Sequence, residues 1–348
     1  MLAVWGAAGR DDIMVRIGIV GAGGIARRHV HALTGVDDAR LTAVVDTSGE
    51  RAAQLAASCE GASAFETVAD GLDAIDAAFV LTPPQFHRDV AVAAIEAGKH
   101  VMIEKPLAVD VADGEAIVAA ARKHGVVAMT AFNMRFRPGF AKLRDAISGG
   151  CLGEVVQFWS QRLGGGGSHD EVEEGANWRT TSSTICGMTI ESLSHDIDLV
   201  RWMLGDVAAV KACTRASHAP LPGFDDNASL VLTLASGAFA TIHASWSSWL
   251  GFNSRGAVGT AGAAMVAGGG LWDLDRFHLR TKDMPHESIE VLNETLNVDS
   301  YRAEDRHFVE CIRNDTPPSV TAADGLAALK VSRAALTSSR DGKSVRPR

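Results

Sequence analysis

Along its first 135 residues the chain alternates short, continuously apolar runs with longer stretches whose apolar positions recur every three or four residues. The short runs are VRIGIV (15–20), LTAVV (41–45), AAFVL (77–81), VMIE (101–104) and VVAMTA (126–131). Apolar but for Arg16, Glu104 and two threonines, and rich in β-branched residues, they predict strands buried on both faces. Between them GIARRHVHAL (24–33), GERAAQLAAS (49–58), QFHRDVAVAAIEAG (85–98) and VADGEAIVAAARKHG (111–125) predict amphipathic helices. Strands alternating with helices require right-handed crossovers. The predicted architecture is therefore α/β, a doubly wound parallel sheet with helices on both faces.

After Pro138 the rhythm changes. A helix over 139–148 leads to a strand at GEVVQFWSQR (153–162) and then to four consecutive glycines, 164–167. A second helix, 188–204, precedes strands at VAAVKACTRA (207–216), ASLVLTLA (228–235) and AFATIHASW (238–246), the last two joined by the hairpin signal Ser236-Gly237. Strands in succession without helices predict a C-terminal α/β domain with an open, mostly antiparallel sheet. Closing helices at 301–314 and 321–339 flank Thr316-Pro317-Pro318 and can pack back on the first domain. Two domains suit 348 residues: 14–135 and 136–340, after a leader or upstream start at 1–13 that is expected to be disordered. Alternate positions in the later strands, with Trp246, Trp249 and Trp272, leave one sheet face too apolar for water, which predicts a homodimer or homotetramer.

Charge narrows the partners. Lysine and arginine number 33 against 42 aspartates and glutamates, a balance of −9 that argues against nucleic acid and against an anionic membrane surface. The longest stretch without a charged residue or histidine, Gly256–Trp272, carries six glycines in 17 residues, so it reads as strands and turns and no membrane span is expected. Five scattered cysteines without a CxxC pair suit a reducing cytoplasm.

The densest motif is GAGGIA, Gly21 to Ala26, a match to GxGxxG/A between a predicted strand and a predicted helix. In that pattern Gly21 makes the tight turn, Gly23 lets backbone approach a pyrophosphate, and small Ala26 lets the helix close on the strand. Gly24 and Ile25 open the helix, whose N-terminal amides and dipole attract an anion. Asp46 ends the second strand 20 residues after Ala26, where a carboxylate accepts hydrogen bonds from ribose hydroxyls. A ligand-free glycine turn is the bland reading, and strand, helix and Asp46 together outweigh it. The first domain therefore reads as a Rossmann domain. Asp46 would repel a 2′-phosphate and is followed by Thr47 and Ser48, so NAD is the expected cofactor; Arg51 and the hydroxyls keep NADP open. Arg27, Arg28, His29 and His31 read as a solvated helix face or as packing near the phosphates.

Two motifs follow strands whose carboxyl ends should face the same crevice. TPPQFH, Thr82 to His87, carries Pro83 and Pro84, which stiffen its loop; alone it reads as structural. Glu104-Lys105-Pro106, within AGKHVMIEKPLA, leaves the VMIE strand with the lysine backbone fixed by proline. Further on, ESLSHDIDLVRWMLG (191–205) sets Glu191 and His195 at i, i+4 on one helical face, with Asp198 three residues on. Without context His195 reads as a helix histidine neutralised by a carboxylate, and Asp198 as a cap or a partner of Arg201. A metal site built from Glu191, His195 and His169 or His243 lacks zinc-type spacing, so no metal is expected. No GxSxG elbow supports nucleophilic hydrolysis.

Together the glycine loop, TPPxxH and AGKHVxxEKP resemble the glucose-fructose oxidoreductase/inositol dehydrogenase (Gfo/Idh/MocA) family, from about Val15 to the C-terminus. That resemblance implies a nicotinamide-binding Rossmann domain joined to a larger α/β domain with an open sheet. It implies oxidation of a hydroxyl on a sugar, inositol or related polyol, or the reverse reduction. Thr82, Pro83, His87, Glu104 and Asn133 (within FNMRFRP) would then belong to the cofactor site, and Lys105 would touch both cofactor and substrate. Trp178 and Arg179 would lie near cofactor or substrate. ESLSHDID looks like the family's DxxxHxxD segment, with His195 as acid/base and Glu191, in place of the commoner aspartate, orienting it. The usual glycine-rich approach to that segment reads STICGMTI here, and both departures leave the substrate open. Expected is a cytoplasmic NAD(H)-dependent oxidoreductase acting on a small polyhydroxylated molecule. An NAD-dependent glycoside hydrolase and a non-catalytic nicotinamide-binding sensor are the rivals. The first would release aglycone without net NADH; the second would do neither.

Overall fold

A computed structural model describes residues 14–164, 181, 186–217, 223–294 and 298–348; the expected leader, 1–13, lies outside them. Six parallel strands build the first sheet: β1 (Val15–Val20), β2 (Ala39–Val45), β3 (Ser63–Phe65), β4 (Ala77–Val80), β5 (His100–Glu104) and β6 (Ala128–Ala131). Their order is β3-β2-β1-β4-β5-β6. The chain therefore reverses its direction of winding between β1 and β4, and a crevice opens beyond their carboxyl ends. Helices α1 (Gly24–Leu33), α2 (Gly49–Ala57), α3 (Val68–Gly71), α4 (His87–Glu96) and α5 (Val111–His124) make the crossovers. With both faces covered, β4 is buried at every position, which accounts for its unbroken apolar sequence.

The second sheet has eight strands: β7 (Val155–Leu163), β8 (Val207–Arg215), β9 (Asn227–Leu234), β10 (Phe239–Ser245), β11 (Phe252–Gly259), β12 (Gly262–Gly268), β13 (Leu274–Thr281) and β14 (Ser288–Glu294). They run in the order β14-β13-β12-β11-β7-β10-β9-β8, antiparallel except for the β7–β10 pair. Sequence alternation becomes one wet and one dry face: Ala228, Leu230, Leu232 and Leu234 of β9 point inward, and Val231 points out. Helix α6 (Pro138–Ser148) and the pair α7 (Met188–Glu191) and α8 (Leu193–Leu204) cover the inner face. The closing helices α9 (Val298–Asn314) and α10 (Ala322–Asp341) return to the first sheet's helices. There α9 lies on α1, and α10 packs on α5 as well as on α8 and β8.

Two local expectations are corrected, and two short elements are added. The helix predicted over 188–204 is broken at Ser192, whose carbonyl accepts a hydrogen bond from the Arg162 guanidinium at 3.1 Å. β3 and α3, three and four residues long, are too short to carry a period in the sequence. Trp272, expected to enlarge the outer apolar face, lines the crevice between the sheets. Among the described residues no helix is long and apolar enough to cross a membrane.

Candidate functional site

The crevice encloses about 1150 Å³ and runs from the glycine loop to the start of α8. At its head Gly21 has φ +103°, and a Cβ there would sit 2.8 Å from the Leu81 carbonyl and the Thr82 nitrogen, so only glycine fits the turn. By contrast, a Cβ on Gly23 or Gly24 would meet nothing within 4 Å. That open cradle faces the first turn of α1, which no side chain caps. Ile25 lines the crevice, while Ala26 is fully buried beneath the loop and packs rather than contacts. The Thr82 hydroxyl, beside Pro83 in the wall, is buried without a partner. Open backbone, unspent amides and an unpaired hydroxyl fit a dinucleotide.

Asp46, at the end of β2, accepts hydrogen bonds from Ala22 N (2.8 Å) and Ser48 N (2.8 Å) and an ion pair from Arg51 Nη2 (2.7 Å). Partial burial opposes ionisation, but the Arg51 guanidinium and the two amides hold the carboxyl below the usual range. His87 does not reach the crevice. It is fully buried, with its ring nitrogens 3.0 Å from the Pro106 carbonyl and 2.8 Å from the Thr82 carbonyl, so it ties two loops of the wall together. Asn133, in the turn after β6, lines the crevice and donates to Ser300 Oγ at 3.4 Å.

Lys105, Glu191 and His195 meet at the other end. The Lys105–Pro106 peptide is cis, and Lys105 N donates to Glu104 Oε2 at 2.8 Å. Lys105 Nζ pairs with Glu191 Oε1 at 3.0 Å and reaches the Glu191 carbonyl at 3.4 Å. The carboxylate expected to orient the imidazole fixes the lysine, and His195 Nδ1 is buried without a hydrogen-bond partner. His195 is buried, edge-on to Phe132 and Trp272 with ring centroids 5.8 and 6.3 Å away. Burial, then the charges of Lys105 and Arg162, push its imidazole well below its ordinary 6.5, against a smaller pull from Asp196 and Glu191. At neutral pH this histidine is an uncharged proton acceptor. Trp178, Arg179 and His169 lie outside the described residues. His243 sits on β10 with its Nδ1 at Ser229 Oγ, 2.7 Å, away from the crevice lining.

Buried ions support this end of the site. Asp196 takes Arg162 Nη2 at 2.8 Å, Arg255 Nη2 at 2.9 Å and Ser160 Oγ at 2.7 Å. Burial raises its carboxyl, but the two arginines more than reverse that and hold it far below the usual range. Arg162 also stacks on Trp272, 4.4 Å from the ring centroid. Asp198, expected to pair with Arg201, instead receives Arg135 Nε at 2.8 Å, because the turn after β6 drives that arginine into the core; Arg201 pairs with Asp206 at 2.8 Å. His29 is no part of a solvated face. It is fully buried, 2.9 Å from Asp305 Oδ1 and 3.6 Å from Glu104 Oε1. Burial would lower its pKa, but those carboxylates lift it to about 10.

Sequence reading missed Arg162, Asp196, Arg255, Trp272 and Tyr301. The first had a signal: Phe158, Ser160 and Arg162 share the buried face of β7, so two polar residues occupy core-facing positions.

Comparison with known proteins gives the family and the fold. The family described as an oxidoreductase family with an NAD-binding Rossmann fold matches residues 15–132, and the GFO/IDH/MocA C-terminal domain matches residues 140–265. Inositol 2-dehydrogenase of Rhizobium meliloti is 30% identical over 93% of this chain and 96% of its own length. The scyllo-inositol 2-dehydrogenase (NAD(+)) of Bacillus subtilis is 29% identical over 95% of this chain and 96% of its own. The fold of a levoglucosan dehydrogenase in complex with NADH superposes with a TM-score of 0.87 at 22% identity, over 96% of this chain and 99% of that one.

Proposed function

Since the chain belongs to the Gfo/Idh/MocA family of NAD-dependent oxidoreductases, we propose that it oxidises one hydroxyl of a sugar, inositol or related polyol, or reduces the matching ketone. The observation carrying this reading is the convergence of Lys105, Glu191 and His195 at one end of a crevice whose other end is a glycine cradle with Asp46 beside it. Gly23, Gly24 and the first amides of α1 would hold the pyrophosphate, Asp46 the ribose, and Thr82, Pro83, Glu104 and Asn133 the remaining wall. When bound, the nicotinamide supplies the two-electron acceptor.

The protein's own residues do the rest. Lys105 orients the reacting hydroxyl and stabilises negative charge developing on its oxygen. Glu191 keeps the ammonium in place through the 3.0 Å pair. His195, uncharged, takes the hydroxyl proton as general base. The surrounding apolar wall of Phe132 and Trp272 limits water around the imidazole. Five free thiols suit a cytoplasmic setting. Val231, Phe239, Phe252 and Val258, exposed on the second sheet's outer face, support pairing of two such faces in a homodimer or homotetramer. A single monomeric species in sedimentation at micromolar protein would exclude that assembly.

Screening inositols, aldoses and their derivatives with NAD, and following NADH absorbance, tests the reaction. Accumulation of NADH with one polyol is expected. Release of an aglycone from a glycoside without net NADH would overturn the dehydrogenase reading in favour of a hydrolase.

A further inference from the structure

We propose that Trp272 determines substrate specificity: its indole is the wall against which the carbon face of a ring-closed polyol stacks, so the site selects cyclic over open-chain substrates. The inference rests on the polyol dehydrogenase reading of the crevice and narrows its substrate class. Trp272 stands in the turn between β12 and β13 and lines the crevice at the His195 end, with the two ring centroids 6.3 Å apart and the planes at 79°. Lys105, Glu191, His195 and Asn133 give that end its polar groups, and the indole adds a broad apolar surface beside them. A ring-closed polyol divides in the same way. Its hydroxyls project mainly from the rim, and C–H bonds cover a flat apolar face. An open-chain polyol presents hydroxyls on every side and must freeze several bonds to offer such a face. Hydroxyl recognition by the polar groups leaves the two classes alike; the indole is what tells them apart.

The wall stands before any substrate arrives. The Arg162 guanidinium, from β7, lies over one face of the indole at 4.4 Å from the ring centroid. That arginine is itself fixed by Asp196 at 2.8 Å and by the Ser192 carbonyl at 3.1 Å. Arg137 Nη1, at the start of α6, donates to the Trp272 carbonyl at 2.7 Å, and Asn253 Nδ2 of β11 donates to the carbonyl of the next residue, Asp273. Ring and backbone are thus held from three separate elements, so stacking requires little ordering of the side chain. With Arg162 over one face, the indole has a single face left, which matches one face of one ring.

Steady-state kinetics of the full chain with NAD, comparing inositols and aldopyranoses with alditols of equal carbon number, tests the assignment in wild type and in Trp272→Phe, Trp272→Leu and Trp272→Ala. The wild type should use its best ring-closed substrate with a kcat/KM about tenfold or more above that for any alditol. Trp272→Ala should raise KM for the ring by about tenfold, the scale of returning one ring face to water, and should shrink the preference to about twofold. Trp272→Phe keeps an aromatic wall and should retain most of the preference. Trp272→Leu keeps bulk without an aromatic face; it should lose the preference as alanine does, and it carries the comparison if the alanine variant does not fold. The ratio is the readout, because water admitted beside His195 would slow both substrate classes alike. NADH affinity, by fluorescence titration, should stay within about threefold in every variant. An unchanged ratio in Trp272→Ala and Trp272→Leu, or a wild type that prefers alditols, would overturn the assignment. So would a loss of NADH affinity as large as the rise in KM, by placing the indole against the nicotinamide. A wild type that binds NADH and oxidises no polyol overturns the dehydrogenase reading itself, a different outcome from polyol oxidation that ignores Trp272.

Discussion

Replacing His29 by asparagine tests the buried charge cluster behind the crevice. Asparagine can still hydrogen-bond Asp305 but carries no charge. The folded imidazole titrates at about 10, lifted from 6.5 by Asp305 and Glu104. A group whose folded pKa is raised contributes all of its stability below its unfolded pKa, and loses it as pH climbs through the folded one. At ~1.36 kcal/mol per unit, the shift is worth about 4 kcal/mol at pH 7 and only about 1 kcal/mol at pH 9.5. The neighbours argue for a loss of that size. Asp305 and Glu304 are fully buried, and burial holds the Glu304 carboxyl well above its ordinary range, so the core tolerates little extra negative charge without the imidazolium. Urea unfolding followed by circular dichroism, at pH 7 and pH 9.5, is the assay. The wild type should lose about 3 kcal/mol between the two and the variant much less, while the contributions of other lysines, tyrosines and thiols cancel in the comparison. Equal losses in both proteins would show that His29 is not held as a cation.

His195→Ala should lower kcat by about 10²–10⁴-fold while NADH affinity stays within a few-fold, and near-normal turnover would remove the histidine from the mechanism. With the imidazole held well below 6.5, the acidic limb of kcat/KM should lie below that pH in the wild type and move lower still in Glu191→Gln, which removes a charge favouring the protonated ring. Asp196→Asn leaves Arg162 and Arg255 buried without an anion and should cost about 3–5 kcal/mol, read as a lower thermal midpoint; an unmoved midpoint would refute the pairing. Gly21→Ala forces a Cβ to within 2.8 Å of the Leu81 carbonyl and should abolish measurable NADH binding, so ordinary affinity would refute the turn's role.

The parallel sheet was legible because its inner strands β4, β5 and β6 are buried almost throughout and therefore nearly all apolar, as in AAFVL. The glycine loop and Asp46 were legible for a related reason: a backbone that must turn in the space Gly21 occupies leaves a residue-type signature. What escaped were partnerships between distant positions. Nothing local in FNMRFRP tells Arg135 to seek Asp198 rather than solvent, and nothing in RRHVH marks His29 as the buried one of its cluster. The resemblance set His87 in the cofactor site because a histidine three residues past a double proline looks the same whether it faces a ligand or ties two loops together. The break at Ser192 carries no local mark, and the Arg162 guanidinium that meets its carbonyl comes from the distant strand β7.

The link between His29 and Asp305 spans 276 positions, and that separation is also a delay. At roughly 5–20 residues per second of synthesis, about 14 to 55 seconds pass between the emergence of the histidine and that of its counter-ion. Over the later part of that interval every strand of the first sheet is already made, with a histidine beside it whose one carboxylate neighbour so far is Glu104. The first sheet is earliest in the chain and is still among the last parts of the molecule to be finished. Until the final helices arrive, the histidine of α1 lacks the nearer of its two carboxylates.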